Sequence, residues 1–171
     1  MGAFIDDKLV PSDDTSLEKW FLSKTSASIV YRAFGSSSII SYGRVNDLIS
    51  GLARFLFQTS GTSLFLALRN VNYETYEAVL RNLKENDLRE ILQNEDRVKI
   101  ENRFVTQKWI LQQTSVKIFL SHCGMNSIIE TLYFSKPLLC MPFNVEQFSN
   151  ASTIEHLTVG KSLFIPPTLF H

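Results

Sequence analysis

The sequence predicts an α/β fold, a parallel sheet with helices on both faces. Three observations carry that expectation. Short apolar runs such as "SIVYRAF", "SLFLALR" and "VKIFL" lack the polar alternation of a one-sided sheet, so their strands should be covered on both sides. The segments between them repeat apolar residues at helical spacing. Strand and helix patterns then alternate along the chain as β-α-β-α-β-α-β-α-β-α-β, the order of a helix-covered parallel sheet.

Residues 1–14 read as a connecting arm, and 15–171 as the domain. Thr15 with Glu18 three residues on forms a capping box that opens a short helix, "TSLEKWFL". A strand follows at Ser28 to Phe34 and ends in "GSSS". "RVNDLISGLARFLFQ" places Val45, Leu48, Ile49, Leu52, Phe55 and Leu56 on one helical stripe. "SLFLALR" is the second strand. "YETYEAVLRNLKENDLREILQ" is one helix, or two joined by a turn near Asn86-Asp87. The strand "RVKIENRF", the short helix "KWILQQ" and the strand "VKIFL" come next. A helix over about 124–134 leads to the strand "PLLCM", and the helix "EQFSNASTIEHL" to a last strand, "KSLFI".

Bulk composition excludes several classes. The chain has 171 residues, 44% of them hydrophobic, enough to bury a core. Its 17 basic and 17 acidic residues balance, without the basic excess of a dedicated nucleic-acid binder. No window approaches the roughly 20 apolar residues of a membrane span. "MGAFIDDKLV" has neither the basic start nor the apolar run of a secretory signal. Two cysteines, Cys123 and Cys140, cannot make a disulfide scaffold, and both are read as buried or half-buried thiols rather than as a bridge.

In such a fold ligands bind beyond the carboxyl ends of the strands. The densest polar cluster there is "SHCGMNSIIE", Ser121 to Glu130, where a strand turns into a helix. The start of a helix carries unpaired N–H groups and a partial positive charge, which suits a phosphate. Gly124 would let backbone approach the anion, while His122, Asn126 and Ser127 would add donors. Ser127 and Glu130 equally fit an S-x-x-E capping box that serves the helix alone. "FGSSS" is a second strand-to-helix turn, whose serines also suit an N-cap. In "FNVEQFSN" the carboxylate of Glu146 beside the amide of Gln147 suits vicinal hydroxyls, or simply complements the helix dipole. There is no dinucleotide fingerprint, P-loop, nucleophile elbow or metal-ligand spacing; His122, His156 and His171 lie far apart.

From Phe104 to Asn150 the sequence closely resembles the donor-binding motif of UDP-glycosyltransferases of the two-domain GT-B fold. "FVTQ", "HCGMNSIIE", "MPFNVEQ" and "SNA" match the family's W-x-P-Q, H-[CG]-G-x-N-S-x-x-E, P-[FL]-x-x-[DE]-Q and N-[AI] at the family's spacing. "IVYRAFGS" matches its V-Y-V-S-F-G-[ST], so the likeness runs from about 16 to 165. The resemblance implies the C-terminal, Rossmann-like donor domain. Phe104 would stack on uracil and Gln107 touch the base, with Glu130 holding the ribose. His122, Gly124, Asn126, Ser127 and Ser36 would hold the diphosphate, and Glu146 and Gln147 the transferred sugar. It implies an inverting transfer from a UDP-sugar, as co-substrate, to a small or lipid-like acceptor hydroxyl, with no metal and no further cofactor.

Departures from the pattern are Phe104 for tryptophan, Thr106 for proline, Thr158 for a glycine, and Arg32 inside an apolar strand, where it must pair, snorkel or weaken the strand. The family's catalytic base lies in an N-terminal acceptor domain absent from these residues, so no catalytic residue is nominated. That domain would act in cis, or in trans on a separate donor-binding subunit; a degenerate, non-catalytic nucleotide-binding module is the remaining reading. Asn150-Ala-Ser152 fits a glycosylation sequon but is read as structural. Localisation stays open between the cytoplasm and the endoplasmic reticulum.

Overall fold

Six short strands, buried most deeply at the centre of the sheet in β1 and β2, form one sheet in a computed structural model that describes residues 15–35 and 40–163. The strands are β1 (Ile29–Ala33), β2 (Ser63–Ala67), β3 (Val98–Glu101), β4 (Val116–Ser121), β5 (Leu138–Cys140) and β6 (Gly160–Ser162). They lie in the order β3-β2-β1-β4-β5-β6, and every pair is parallel. The chain direction across the sheet reverses at β1 and β4. Loops leaving those two strands diverge there and open a crevice, the place where such sheets bind ligands.

Among the described residues seven helices cover the two faces: α1 (Thr15–Leu22), α2 (Tyr42–Gln58), α3 (Val71–Asn82), α4 (Asn86–Gln93), α5 (Gln107–Gln112), α6 (Met125–Tyr133) and α7 (Val145–His156). Strand geometry sorts the core. Ile29, Tyr31 and Ala33 of β1 point to one face and pack with Phe21 of α1, Trp109 of α5, Ile128 of α6 and Ile154 of α7. Val30 and Phe34 point to the other, with Ile49 and Leu56 of α2, Tyr76 of α3 and Leu88 of α4. Tyr31 and Phe119 stack at 4.6 Å between centroids, and Phe65 and Phe21 meet edge to face at 5.1 Å.

The long helical pattern resolves into two helices, separated by Leu83–Glu85. One continuous helix would place Leu83 and Leu88 on divergent faces; the break buries both against the same core. Strand β6 is shorter than "KSLFI", and Phe164 and Ile165 lie outside the described residues. Helix α7 begins at Val145. The side-chain oxygen of Gln147 accepts from the N–H groups of Phe143 (2.9 Å) and Asn144 (3.2 Å), satisfying donors at the helix entrance. Helix α7 ends with Thr158 at φ +57°, the left-handed position that glycine usually fills after a helix.

The reading of the cysteines is corrected: Cys123 and Cys140 are joined in a disulfide, with Cα atoms 5.5 Å apart. Parallel pairing of β4 with β5 sets Ser121 beside Cys140, so the loop after β4 folds Cys123 directly over the end of β5. Among the described residues Arg32 makes no ion pair, and it does not snorkel. It is 1% exposed, its Nε and Nη2 have no hydrogen-bond partner, and its guanidinium lies 4.0 Å over the Phe34 ring. Burial pushes its pKa down to about 9.

Candidate functional site: a crevice at the strand ends

A cavity of about 680 Å³ opens at the carboxyl ends of β1, β2 and β4. His122, Gly124, Asn126, Ser127 and Glu130 line it from the β4–α6 side, and Phe104 and Gln107 from the loop after β3 and the start of α5. Glu146 closes the rim from α7. Eight of the ten sequence-nominated residues thus converge. Ser36 lies outside the described residues. Gln147 is 8% exposed, outside this lining, and its oxygen is engaged at the entrance of α7.

The helix-cap alternative for Ser127 and Glu130 is not realised. Helix α6 has Gly124 as its N-cap, which places Ser127 within the first turn. Gln107 instead donates from Nε2 to Glu130 Oε2 at 2.8 Å and to Ser127 Oγ at 3.2 Å. That bridge fixes one carboxylate oxygen of Glu130 and ties α5 to α6. Beneath it lies Tyr31, whose buried hydroxyl has no partner; burial, then the charge of Glu130, pushes its pKa up and keeps the phenol neutral.

His122 is the centre of the cradle. A Cβ on Gly124 would meet its Nε2 at 2.6 Å, and one on Gly35 would meet Cε1 and Nε2 at 3.2 Å. The imidazole is therefore clamped between the turn after β1 and the start of α6. Gly124 makes room for this ring, beyond any approach of backbone to an anion, and Gly35 at φ +73° does so from the opposite turn. Burial lowers the His122 pKa, against a smaller opposing pull from Glu146. At neutral pH the ring is an uncharged donor beside the helix N-terminus. Ser121 Oγ lies 3.5 Å from Nδ1 and accepts the backbone N–H of neighbouring Cys123. Asn150 donates to the Cys123 carbonyl at 3.0 Å, which accounts for the sequon asparagine as a tie that holds this turn.

Three cations that the sequence did not single out also line the cavity: Arg69, Arg103 and Lys108. Nothing in their local pattern marks them; they converge only because β2 and β3 end side by side. Arg103 is paired with Glu101 at 3.1 Å, whereas Arg69 faces the ring of Phe104 at 5.9 Å. Phe104 is 77% exposed, so a ring face is available to a planar ligand. His156 is exposed at the last residue of α7, and His171 lies outside the described residues. Among the described residues no three His, Cys, Asp or Glu side chains gather in metal-binding geometry. A smaller cavity of about 440 Å³ sits under α2, lined mainly by leucines and Met141, with Arg44 and Asp47.

This crevice joins a helix start that suits an anion, a ring face that suits stacking and carboxylates that suit hydroxyls, the parts a nucleotide-sugar site would need on a doubly covered parallel sheet. Comparison with known proteins agrees. Residues 75–166 match the family model "UDP-glucoronosyl and UDP-glucosyl transferase", and the chain belongs to that family, as the C-terminal half of a GT-B fold. It is 29% identical over 166 residues to a flavanone 7-O-glucoside 2''-O-beta-L-rhamnosyltransferase of Citrus maxima, covering 97% of this chain and 35% of the relative. It is 32% identical over 158 residues to UDP-glycosyltransferase 91A1 of Arabidopsis thaliana, covering 91% and 31%. The structure of Phytolacca americana UGT2 complexed with UDP-2fluoro-glucose and pterostilbene superposes with a TM-score of 0.75 at 25% identity, covering 98% of this chain and 34% of that one. The chain spans about a third of the length of the relatives it matches. No described helix is long and apolar enough to cross a membrane.

Proposed function

We propose that this chain binds the UDP-sugar donor of an inverting hexosyltransferase, whose acceptor is a small or lipophilic hydroxyl compound. The observation that carries the reading is the His122 imidazole clamped against the N-terminus of α6, with the Gln107–Glu130 bridge beside it. The uracil stacks on Phe104 and the ribose hydroxyls donate to the free oxygen of Glu130. The diphosphate takes the N–H groups of α6, with the side chains of Asn126 and Ser127. His122 donates from Nε2 to the diphosphate oxygens. As the anomeric bond breaks, charge builds on the leaving diphosphate, and these fixed donors stabilise it without reorganising. Glu146 takes hydroxyls of the transferred sugar; Gln147, through its cap, sets the position of that carboxylate.

The attacking hydroxyl must lose a proton, and in this arrangement Glu146 is engaged by the sugar hydroxyls and His122 by the diphosphate, so neither is left to take it. We therefore place the base and the acceptor pocket in a further domain, supplied in cis or in trans. Met125 and Val145, exposed at the rim beside the sugar end, suit cover by such a domain.

Calorimetric titration with UDP tests the reading. The unsubstituted chain binds, and His122→Ala weakens binding by about tenfold or more, the loss expected of one charge-assisted hydrogen bond. Equal affinity in the two proteins removes His122 from the site, and no binding by either removes the donor assignment.

A further inference from the structure

We propose that Arg69 selects the base of the bound nucleotide, its guanidinium donating to the carbonyl oxygen at ring position 4 of a uracil stacked on Phe104. This deepens the donor-site reading above and rests on it. Four observations converge on Arg69. The backbone N–H of Leu68 donates to the carbonyl of Glu101 at 2.8 Å, which fixes the end of β2 beside the end of β3. Asn70, at φ +48°, then turns the chain sharply into α3 and leaves Arg69 at the cavity wall. Its guanidinium carbon lies 5.9 Å from the centre of the Phe104 ring, on the stacking platform itself. Among the described residues no carboxylate pairs with it, whereas neighbouring Arg103 is held by Glu101.

Position along the sheet decides which part of a nucleotide Arg69 meets. His122 follows β4, and β2 lies two strands away across β1, about 10 Å in the hydrogen-bonding direction. Arg69 and Phe104 thus stand at the end of the crevice away from the diphosphate cradle, where the base lies with its ribose turned toward Glu130. The base edge pointing away from the ribose carries the substituent at position 4. In uracil that atom is a carbonyl acceptor, which suits the donor-only fork of arginine. In cytosine it is an amino donor, which leaves both donors facing each other. The arginine also lies over the aromatic platform, 5.9 Å from its centre, where the smaller phenylalanine gives the base less area than a tryptophan would.

The test is calorimetry on the full chain with UDP, CDP and inorganic pyrophosphate, for the unsubstituted protein, Arg69→Met and Arg69→Lys, each checked for native circular dichroism. The unsubstituted chain should prefer UDP over CDP by about tenfold or more, the discrimination of one well-placed arginine–carbonyl contact. Arg69→Met should bring that ratio to within about threefold while leaving pyrophosphate affinity unchanged. Arg69→Lys keeps the charge without the planar fork, and should also narrow the ratio. A ratio that survives in both variants overturns the assignment and leaves the donor reading standing. Parallel loss of UDP and pyrophosphate overturns it in favour of a phosphate contact. An unsubstituted chain that binds neither UDP nor CDP removes the donor reading, and this inference with it.

Discussion

Replacing Arg32 by methionine should make the chain more stable. The guanidinium is 1% exposed on the central strand, with Nε and Nη2 unpartnered. A pKa held down at about 9, well below the ordinary arginine range, corresponds to about 5 kcal/mol lost on transfer from water, at about 1.4 kcal/mol per pH unit. The contact over Phe34, at 4.0 Å, returns about 2 kcal/mol in a desolvated setting. Methionine keeps the length and removes the charge, as in other replacements of buried ions by apolar side chains. The expected gain is about 2–3 kcal/mol at pH 7, read as a higher urea midpoint with unchanged slope.

The gain should also depend on pH. Below pH 9 both folded and unfolded chains carry the charge, and the full penalty applies. Above it the folded chain releases the proton while the unfolded chain keeps it, so the unsubstituted protein gains stability as pH rises. The advantage of Arg32→Met should therefore shrink between pH 9 and 10.5. A methionine variant no more stable than the unsubstituted chain at pH 7 would refute the reasoning, since it would mean the guanidinium is solvated or paired.

Three further outcomes follow from single positions. Thr158→Gly relieves a β-branched residue at φ +57° and should raise stability by about 1 kcal/mol, seen in the same urea titration; a loss would show that the threonine side chain is needed there. Gly124→Ala drives a methyl group to within 2.6 Å of His122 Nε2; it should displace the ring and abolish measurable UDP binding in calorimetry while the far-ultraviolet spectrum stays native. Reduction of the Cys123–Cys140 bridge, which closes a loop across a separation of 17 residues, should lower stability by roughly 3 kcal/mol; two thiols titrating in the denatured, unreduced chain would contradict the bridge.

Local pattern was enough to order the elements. Unalternating apolar runs and helical stripes gave the strand and helix sequence, since each reports burial of its own residues. Boundaries drifted where tertiary contacts decide them, as at Leu83–Glu85, where the break lets two short helices bury leucines on one face. In the site, His122, Asn126 and Glu130 were legible because they lie within one strand-to-helix turn. The helix-entrance contact of Gln147 was not, because an amide at a helix start serves a ligand or the backbone with the same local sequence.

By itself, then, the sequence determined the α/β class, the strand-end location of the cavity, and the polar cluster from Ser121 to Glu130. These are short-range properties, set by periodicity and by the chemistry of neighbouring residues. Tertiary structure alone decided that Cys123 meets Cys140, that Arg32 is sealed with its Nε and Nη2 unpartnered, and that Arg69 comes to lie beside Phe104. Each depends on the strand order β3-β2-β1-β4-β5-β6. Pairing between strands joins positions that are 17, or 35, residues apart, and hydrophobic periodicity within a segment carries no record of which segment will lie next to it.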